Sequence, residues 1–231
     1  MKKIIQLNSV AELIKDGDQL LVGGFGLSGT PLSLIDELAA SDKKDLTVVS
    51  NNLGNKGEGL GKLLATGSLK KAIGSYFTSN TDAVNAWASG ELEIELVPQG
   101  TLAEAIRCAG AGIGGFYTKT AVGTKLAEGK HQMTFEDGEY ILEKAIKGDV
   151  ALIKALKADT LGNLIYDQAA RNFNPVMATA AKLVIAEVDE IVEAGELKPE
   201  EIVTPHMFVD HIVITRYVNR GGMYVEPAKA N

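Results

Sequence analysis

The chain has few of the residues that staple, ligate or neutralise. It carries one cysteine, Cys108, in 231 residues, so no internal disulfide can form and a reducing compartment suits it. Cys108 lies in T-L-A-E-A-I-R-C, read as a helix, where a lone thiol packs as a small hydrophobe. Histidine is almost as scarce, with His131, His206 and His211 only. The last two stand five apart at a loop-to-strand junction, unlike the i, i+4 pair of a helical zinc site, and no cysteine cluster accompanies them; no metal site is expected. Positive charge is in deficit: 23 Lys and Arg face 30 Asp and Glu, a net charge of −7. With no basic surplus to displace counterions, nucleic acid is excluded as a general partner. The longest uncharged stretch, Gln19 to Ile35, is broken by glycines and Pro31, so no membrane span is expected. Met1-Lys2-Lys3 opens like an export signal, but Gln6, Asn8 and Glu12 interrupt the apolar run such a signal needs. A cytoplasmic protein is expected. There is no internal repeat, low-complexity tract or linker, so residues 1–231 read as one domain, and a hydrophobic content of 45% is enough for a real core at this length.

Against those absences stands one glycine-dense stretch, D-G-D-Q-L-L-V-G-G-F-G-L-S-G-T-P from Asp16 to Pro31. The apolar run Leu20-Leu21-Val22 reads as a buried strand that stops at Gly23, Gly24, Gly26 and Gly29. Thr30 as N-cap and Pro31 at the first helical position predict a following helix with Leu32, Ile35 and Leu38 on one side. A strand, a glycine loop and a helix in that order leave backbone N–H groups and the positive helix end open to an anion. A β-branched side chain at Gly24 is expected to meet a ligand or a partner there.

Three familiar chemistries are poorly matched. Gly24, Gly26 and Gly29 satisfy G-x-G-x-x-G, but the next strand, Leu46 to Ser50, ends in Asn51 and Asn52 rather than the acid that holds a ribose hydroxyl, which weakens an NAD-dependent dehydrogenase reading. No G-K-[ST] follows the glycines, and no G-x-S-x-G is present around Ser28.

Downstream, helix and strand patterns alternate. Ser9 to Lys15 reads as a short helix with Ser9 and Glu12 in capping-box spacing. Strands are predicted at Leu46–Ser50, Lys70–Tyr76 and Glu93–Val97, with helices near Gly59–Ala65, Thr81–Ala88 and Thr101–Cys108, the last capped by Thr101 and Glu104. Further strands fall at Tyr140–Lys144, Val150–Ala155, Asn163–Asp167, Lys182–Val188 and His211–Arg216, and a helix opens at Asn174-Pro175 and runs through Ala181. The glycine-rich stretch from Gly110 to Tyr117 fits either a mobile loop or close backbone packing. The acidic run Glu187 to Glu196 reads as a solvated edge. The fold class is α/β, a mainly parallel open sheet with helices on both faces. Ligands gather at the carboxyl ends of such strands, where the glycine loop, Asn51-Asn52 and Pro98-Gln99-Gly100 all fall. Gln99 is placed to turn its amide toward a ligand carboxylate.

The string from Asp16 to Pro31 resembles the first signature of the heterodimeric CoA-transferases, through Asp16, Gly17, Leu20 to Phe25, Gly29 and Pro31. The likeness continues through S-N-N at Ser50 to Asn52, P-Q-G-T-L-A-E at Pro98 to Glu104, the glycines up to Tyr117, A-R-N-F-N-P at Ala170 to Pro175, and Thr204-Pro205. His206 and Met207 depart from it, standing where a small residue such as glycine is expected. The resemblance implies a ping-pong transfer of CoA between an acyl-CoA and a free carboxylic acid. A glutamate attacks the thioester, CoA thiolate leaves, and the thiolate then attacks the resulting anhydride to give a glutamyl-CoA thioester. That glutamate belongs to an S-E-N-G motif on a second chain, and this sequence has none. The resemblance therefore implies an alpha (A) subunit with no catalytic residue of its own, needing the beta (B) subunit in a heterotetramer or larger assembly, with CoA as substrate and no tightly bound cofactor. It implies a CoA- and acyl-facing wall of Gly23, Gly24, Phe25, Gly26, Leu27, Ser28 and Gly29, and substrate positioning by Asn51, Asn52 and Gln99. G-F-G-L-S-G with S-N-N resembles the succinyl-CoA and 3-oxoacid branch, with acetoacetate as acceptor, more than the acetate or butyrate branch. A non-catalytic CoA-binding regulator is the reading from another class.

Overall fold

Leu20, Leu21 and Val22 show no polar alternation, the pattern of a strand covered on both faces. The computed structural model, which describes residues 3–220 and 223–225, places them in the middle of a parallel sheet. Strand β1 (Gln19–Val22) is flanked by β2 (Leu46–Val49) and, across a gap of more than a hundred residues, by β8 (Gly148–Asp159), with Leu21 opposite Val49 on one side and Ala151 on the other. Beyond β2 come β3 (Leu69–Gly74) and β4 (Glu93–Leu96); beyond β8 come β10 (Ala181–Val192) and β11 (His211–Ile214). All these pairings are parallel, and a short β9 (Leu164–Ile165) joins β8 antiparallel.

Successive side chains of a strand point to opposite faces, and the sheet accordingly separates two cores. Leu20, Val22, Val48 and Leu152 pack with α1 (Leu32–Ala39), α2 (Gly61–Ala65) and α3 (Thr81–Ser89) through Leu34, Leu38, Leu63 and Ala83. Leu21, Val49 and Ile153 pack on the other face with α4 (Gln99–Gly110) and α5 (Asn174–Ala178) through Leu102, Ile106 and Met177. Helix α3 is delimited locally. Asn80 Oδ1 accepts the N–H groups of Asp82 and Ala83 at 3.1 and 3.3 Å, and Gly90 turns left-handed at φ 82° to end it.

A second sheet is antiparallel, in the order β5 (Gly115–Thr118), β7 (Gly138–Lys144), β6 (Gln132–Phe135). Of its strands, only β7 is predicted by sequence pattern. The stretch from Gly110 is settled as close packing at two points: a Cβ on Gly110 would lie 2.1 Å from Thr179 Oγ1, and one on Gly115 would lie 2.6 Å from the Glu143 carbonyl. The backbone also pairs β12 (Val218–Arg220) with β13 (Met223–Val225).

Several local expectations are corrected. The first helical segment is a 3-10 helix at Leu7–Leu13, and Ser9 is no cap, its hydroxyl donating to the Gln6 carbonyl at 2.7 Å. Helix α4 begins at Gln99; Thr101 is a buried residue of its first turn whose hydroxyl finds no partner among the described residues, and Glu104 pairs with Arg107 instead. Thr30 does not cap α1, because its hydroxyl donates to the Gly26 carbonyl. Among the described residues no helix is long and apolar enough to cross a membrane.

Candidate functional site at the carboxyl edge of the sheet

Four neighbouring parallel strands, β1 to β4, end at one edge, and parallel pairing puts their exits side by side. β1 gives the glycine loop, β2 gives Ser50-Asn51-Asn52, β3 gives Ser75-Tyr76, and β4 leads through Pro98 into Gln99. Asn51, Asn52 and Gln99, singled out from sequence, are brought together. Asn52 Nδ2 donates to Asn51 Oδ1 at 2.8 Å, and Asn51 Nδ2 donates to Gln99 Oε1 at 2.7 Å and to Ser75 Oγ at 3.0 Å. Ser75 in turn donates to Gln99 Oε1. Asn51 is buried and held on both ends of its amide, whereas Gln99 Nε2 donates to nothing among the described residues. Buried polar networks of this kind rigidify when satisfied, so the amide chain is a fixed feature of the edge.

The glycine loop stands opposite. Phe25 and Ser28 exchange backbone hydrogen bonds at 3.0 and 3.2 Å, so Phe25 to Ser28 form a tight hairpin with Gly26 and Leu27 at its tip. Phe25 is 57% exposed. Phe25, Leu27, Asn51, Asn52, Tyr76 and Ser79 line one cavity of about 370 Å³ between the hairpin and the amide chain, within the size range of small-ligand sites. Gln99 lies behind Asn51 and off the lining. Among the described lining residues there is no carboxylate, imidazole, thiol or amine. The site as this chain builds it can orient and enclose a substrate, but it supplies no nucleophile with a base beside it.

The glycines are divided in role. Gly26 faces open space, but Gly23, Gly24 and Gly29 are backed onto the chain itself. A Cβ on Gly23 would lie 1.8 Å from Asn174 Oδ1, one on Gly24 would lie 2.1 Å from Thr30 Oγ1, and one on Gly29 would lie 2.1 Å from the Ala170 carbonyl. A side chain at Gly24 therefore meets Thr30, not a ligand or partner as the sequence suggests.

The positive end of α1 is also not open. The Glu187 carboxylate accepts the N–H groups of Ser33 and Leu34 at 2.9 and 3.1 Å and the Ser33 hydroxyl at 3.1 Å. Glu187 is 1% exposed, opposite the equally buried Lys154, whose Nζ lies 3.5 Å from it. The acidic run thus begins in the core, not on a solvated edge, and the anion expected at this helix end is an internal one. A dinucleotide pyrophosphate has no place to sit there.

Sequence reading missed Ser75, whose signal was only its position at the end of a strand. It also missed the work of Asn172 and Asn174: Asn174, fully buried, donates to the Gly29 carbonyl at 3.0 Å and accepts the Lys154 N–H at 2.9 Å. The histidines lie apart in their contacts. The Nδ1 of His131 meets the Tyr117 hydroxyl at 3.0 Å, the His206 N–H donates to Asn163 Oδ1, and His211 is buried. Met207, beside His206, is 73% exposed, so the departure at this point lies in a surface turn.

An open parallel sheet with a rigid amide chain and a hairpin-walled cavity at its carboxyl edge defines an α/β protein with a candidate small-ligand site at the strand ends. The sequence matches the Coenzyme A transferase family over residues 5–215, and the chain belongs to that family. It is 56% identical over 213 residues to the A subunit of the probable succinyl-CoA:3-ketoacid coenzyme A transferase of Bacillus subtilis (strain 168), covering 92% of this chain and 90% of the relative. It is 49% identical to the A subunit of the 3-oxoadipate CoA-transferase of Acinetobacter baylyi, covering 92% and 94%. In structure it resembles an acyl-CoA transferase of Escherichia coli O157:H7 with a TM-score of 0.87 at 22% identity, covering 95% of this chain. The chain spans about half the length of that solved one, at 51%, and a likeness at this identity shows the fold alone. Within its family the chain is of the alpha-subunit kind.

Proposed function

We propose that this chain is the alpha (A) subunit of a succinyl-CoA:3-oxoacid CoA-transferase, moving CoA from succinyl-CoA to acetoacetate or a similar acid through a glutamyl-CoA intermediate on the beta (B) subunit. The observation that carries the reading is the cavity at the strand ends, walled by the Phe25–Ser28 hairpin and by Asn51 and Asn52, which has orienting groups but no attacking group. Carboxylate attack on a thioester needs fixed donors and exclusion of water, since the anhydride would otherwise hydrolyse. A seam between two chains supplies both. On this chain Phe25 and Leu27 cover the acyl thioester, Asn51 and Asn52 position the free acid's carboxylate from the cavity wall, and Gln99, behind them, holds Asn51 through Oε1. CoA is a substrate, no tightly bound cofactor takes part, and the assembly is a heterotetramer or larger, resident in the cytoplasm. The 56% identity to a succinyl-CoA:3-ketoacid relative supports the choice of substrates over 3-oxoadipate or acetate.

Co-expression with the beta chain, followed by assay of CoA exchange from succinyl-CoA to acetoacetate, 3-oxoadipate, acetate and butyrate, tests it. Exchange is expected with both chains present, fastest with acetoacetate, and absent with this chain alone. Full activity from the isolated chain overturns the divided site, and a preference for acetate or butyrate overturns the substrate assignment.

A further inference from the structure

The hairpin that walls the cavity is not held by its own two hydrogen bonds alone. Asn172, at the end of a 3-10 turn over Gln168–Arg171, reaches back across nearly 150 residues of sequence to grip it at both ends. Its Oδ1 accepts the Gly24 N–H at 3.0 Å, and its Nδ2 donates to the Ser28 carbonyl at 3.0 Å and to the Ala170 carbonyl at 3.0 Å. One amide thus clamps the residue that enters the hairpin and the residue that closes it. Its backbone is forced to do so: Asn172 sits at φ 22°, ψ −118°, on the side of the Ramachandran map that costs an L-residue of order 1–3 kcal/mol and that clusters at functional sites. The approach leaves no room for a side chain at Gly29, whose Cβ would lie 2.6 Å from Asn172 Nδ2. Asn172 is only half-buried and its amide meets backbone polar groups, so apolar packing does not account for the strain.

We infer that Asn172 is a positioning residue for the transfer reaction: it fixes the Gly24–Ser28 hairpin so that Phe25 and Leu27 present one surface to the acyl group. It touches neither the cavity nor any reacting atom and acts only through the hairpin. The inference rests on the hairpin's proposed role as the acyl-facing wall. Strain spent on a wall that must not move is recovered in the transition state, where loss of preorganisation lowers turnover more than affinity.

The test compares Asn172→Gly and Asn172→Asp with the parent, each as the full chain assembled with its beta partner. Glycine tolerates the backbone angle but removes every clamp bond. Aspartate keeps the acceptor for the Gly24 N–H and loses the donor to Ser28. Two readouts are taken, hydrogen exchange of the peptide spanning residues 23–30 and the steady-state constants for acyl-CoA. For Asn172→Gly, exchange of that peptide is expected to quicken by about tenfold or more while other peptides and the thermal midpoint stay near parental values, and kcat to fall about tenfold with KM moving less than about threefold. Asn172→Asp, which keeps the Gly24 bond but turns a carboxylate oxygen toward the Ser28 and Ala170 carbonyls, is expected to leave the peptide's exchange quickened and kcat lowered as in Asn172→Gly. Unchanged exchange in Asn172→Gly overturns the clamp. Quickened exchange with unchanged kcat overturns the positioning role. If the parent assembly exchanges no CoA between any acyl-CoA and acid tested while the peptide still responds, the proposed function fails and the clamp survives.

Discussion

Gly23 and Gly26 lack the same side chain yet have opposite surroundings, and they separate what the loop needs for folding from what it offers outside. A methyl on Gly23 is driven into the buried Asn174 amide, so Gly23→Ala is expected to cost about 1–3 kcal/mol by overpacking. Gly26 has φ +63° and none of the described residues within 4 Å of its missing Cβ, so Gly26→Ala costs only the left-handed backbone penalty, about 1 kcal/mol. Urea unfolding of the two variants measures the difference, and equal losses would contradict the division of roles. Gln99→Leu, which keeps the helix and removes the acceptor that holds Asn51, is expected to raise KM for the free acid about tenfold, equivalent to about 1.4 kcal/mol, with a smaller change in KM for acyl-CoA. Cys108 belongs with these single positions. It is buried at 1% exposure, and burial together with the nearby Glu104 charge pushes its thiol up, with Arg107 opposing. A disulfide dye at neutral pH should leave it unlabelled in the native chain and label it fully in denaturant.

Helix α1 is fixed by a residue from β10, and this is the interaction on which its start depends. Glu187→Ala removes the carboxylate from two backbone N–H groups and takes one partner from the buried Lys154, a loss of about 3 kcal/mol. Glu187→Gln, which keeps an acceptor, should lose less; thermal melts that rank the two the other way would refute the assignment. The contrast with α3 explains what could be read beforehand. Asn80 and Gly90 mark that helix with residues next to it, and Leu20 to Val22 announce a central strand by composition alone, so the parallel sheet and the placement of Asn51, Asn52 and Gln99 at one edge were legible. Glu187 could not be seen as a cap because Ser33 lies 154 positions away. Asn172 was legible as part of a motif but not as a clamp, for the same reason. Strand β6 was invisible because Gln132 to Phe135 are all exposed, leaving no buried face to impose a period of two.

The parallel sheet is laced at its amino edge by one carboxylate. Asp149, at the start of β8, accepts Lys182 Nζ from β10 at 2.8 Å and the Gln19 N–H of β1 at 3.0 Å, and the Lys182 bond, followed by that N–H, holds its acid below the ordinary range, with burial opposing. A depressed folded pKa contributes stability above the unfolded value of about 3.9 and loses it as pH falls through the lower folded value. Asp149→Asn should therefore flatten the acid limb of the melting profile below about pH 4 and leave its slope between about pH 6 and 8 unchanged. The order of the strands bears on how the chain is made. β1 is flanked by β2, which comes soon after it in sequence, and by β8, which begins only at Gly148. A nascent chain that has emerged as far as Lys147 therefore displays Leu20 to Val22 along a bare hydrogen-bonding margin, open to any stray extended peptide. Translation speed over the stretch encoding β8 thus sets how long this growing polypeptide is vulnerable to coaggregation, and a stop codon placed just before Gly148 should yield insoluble product where one placed after Ile214 does not.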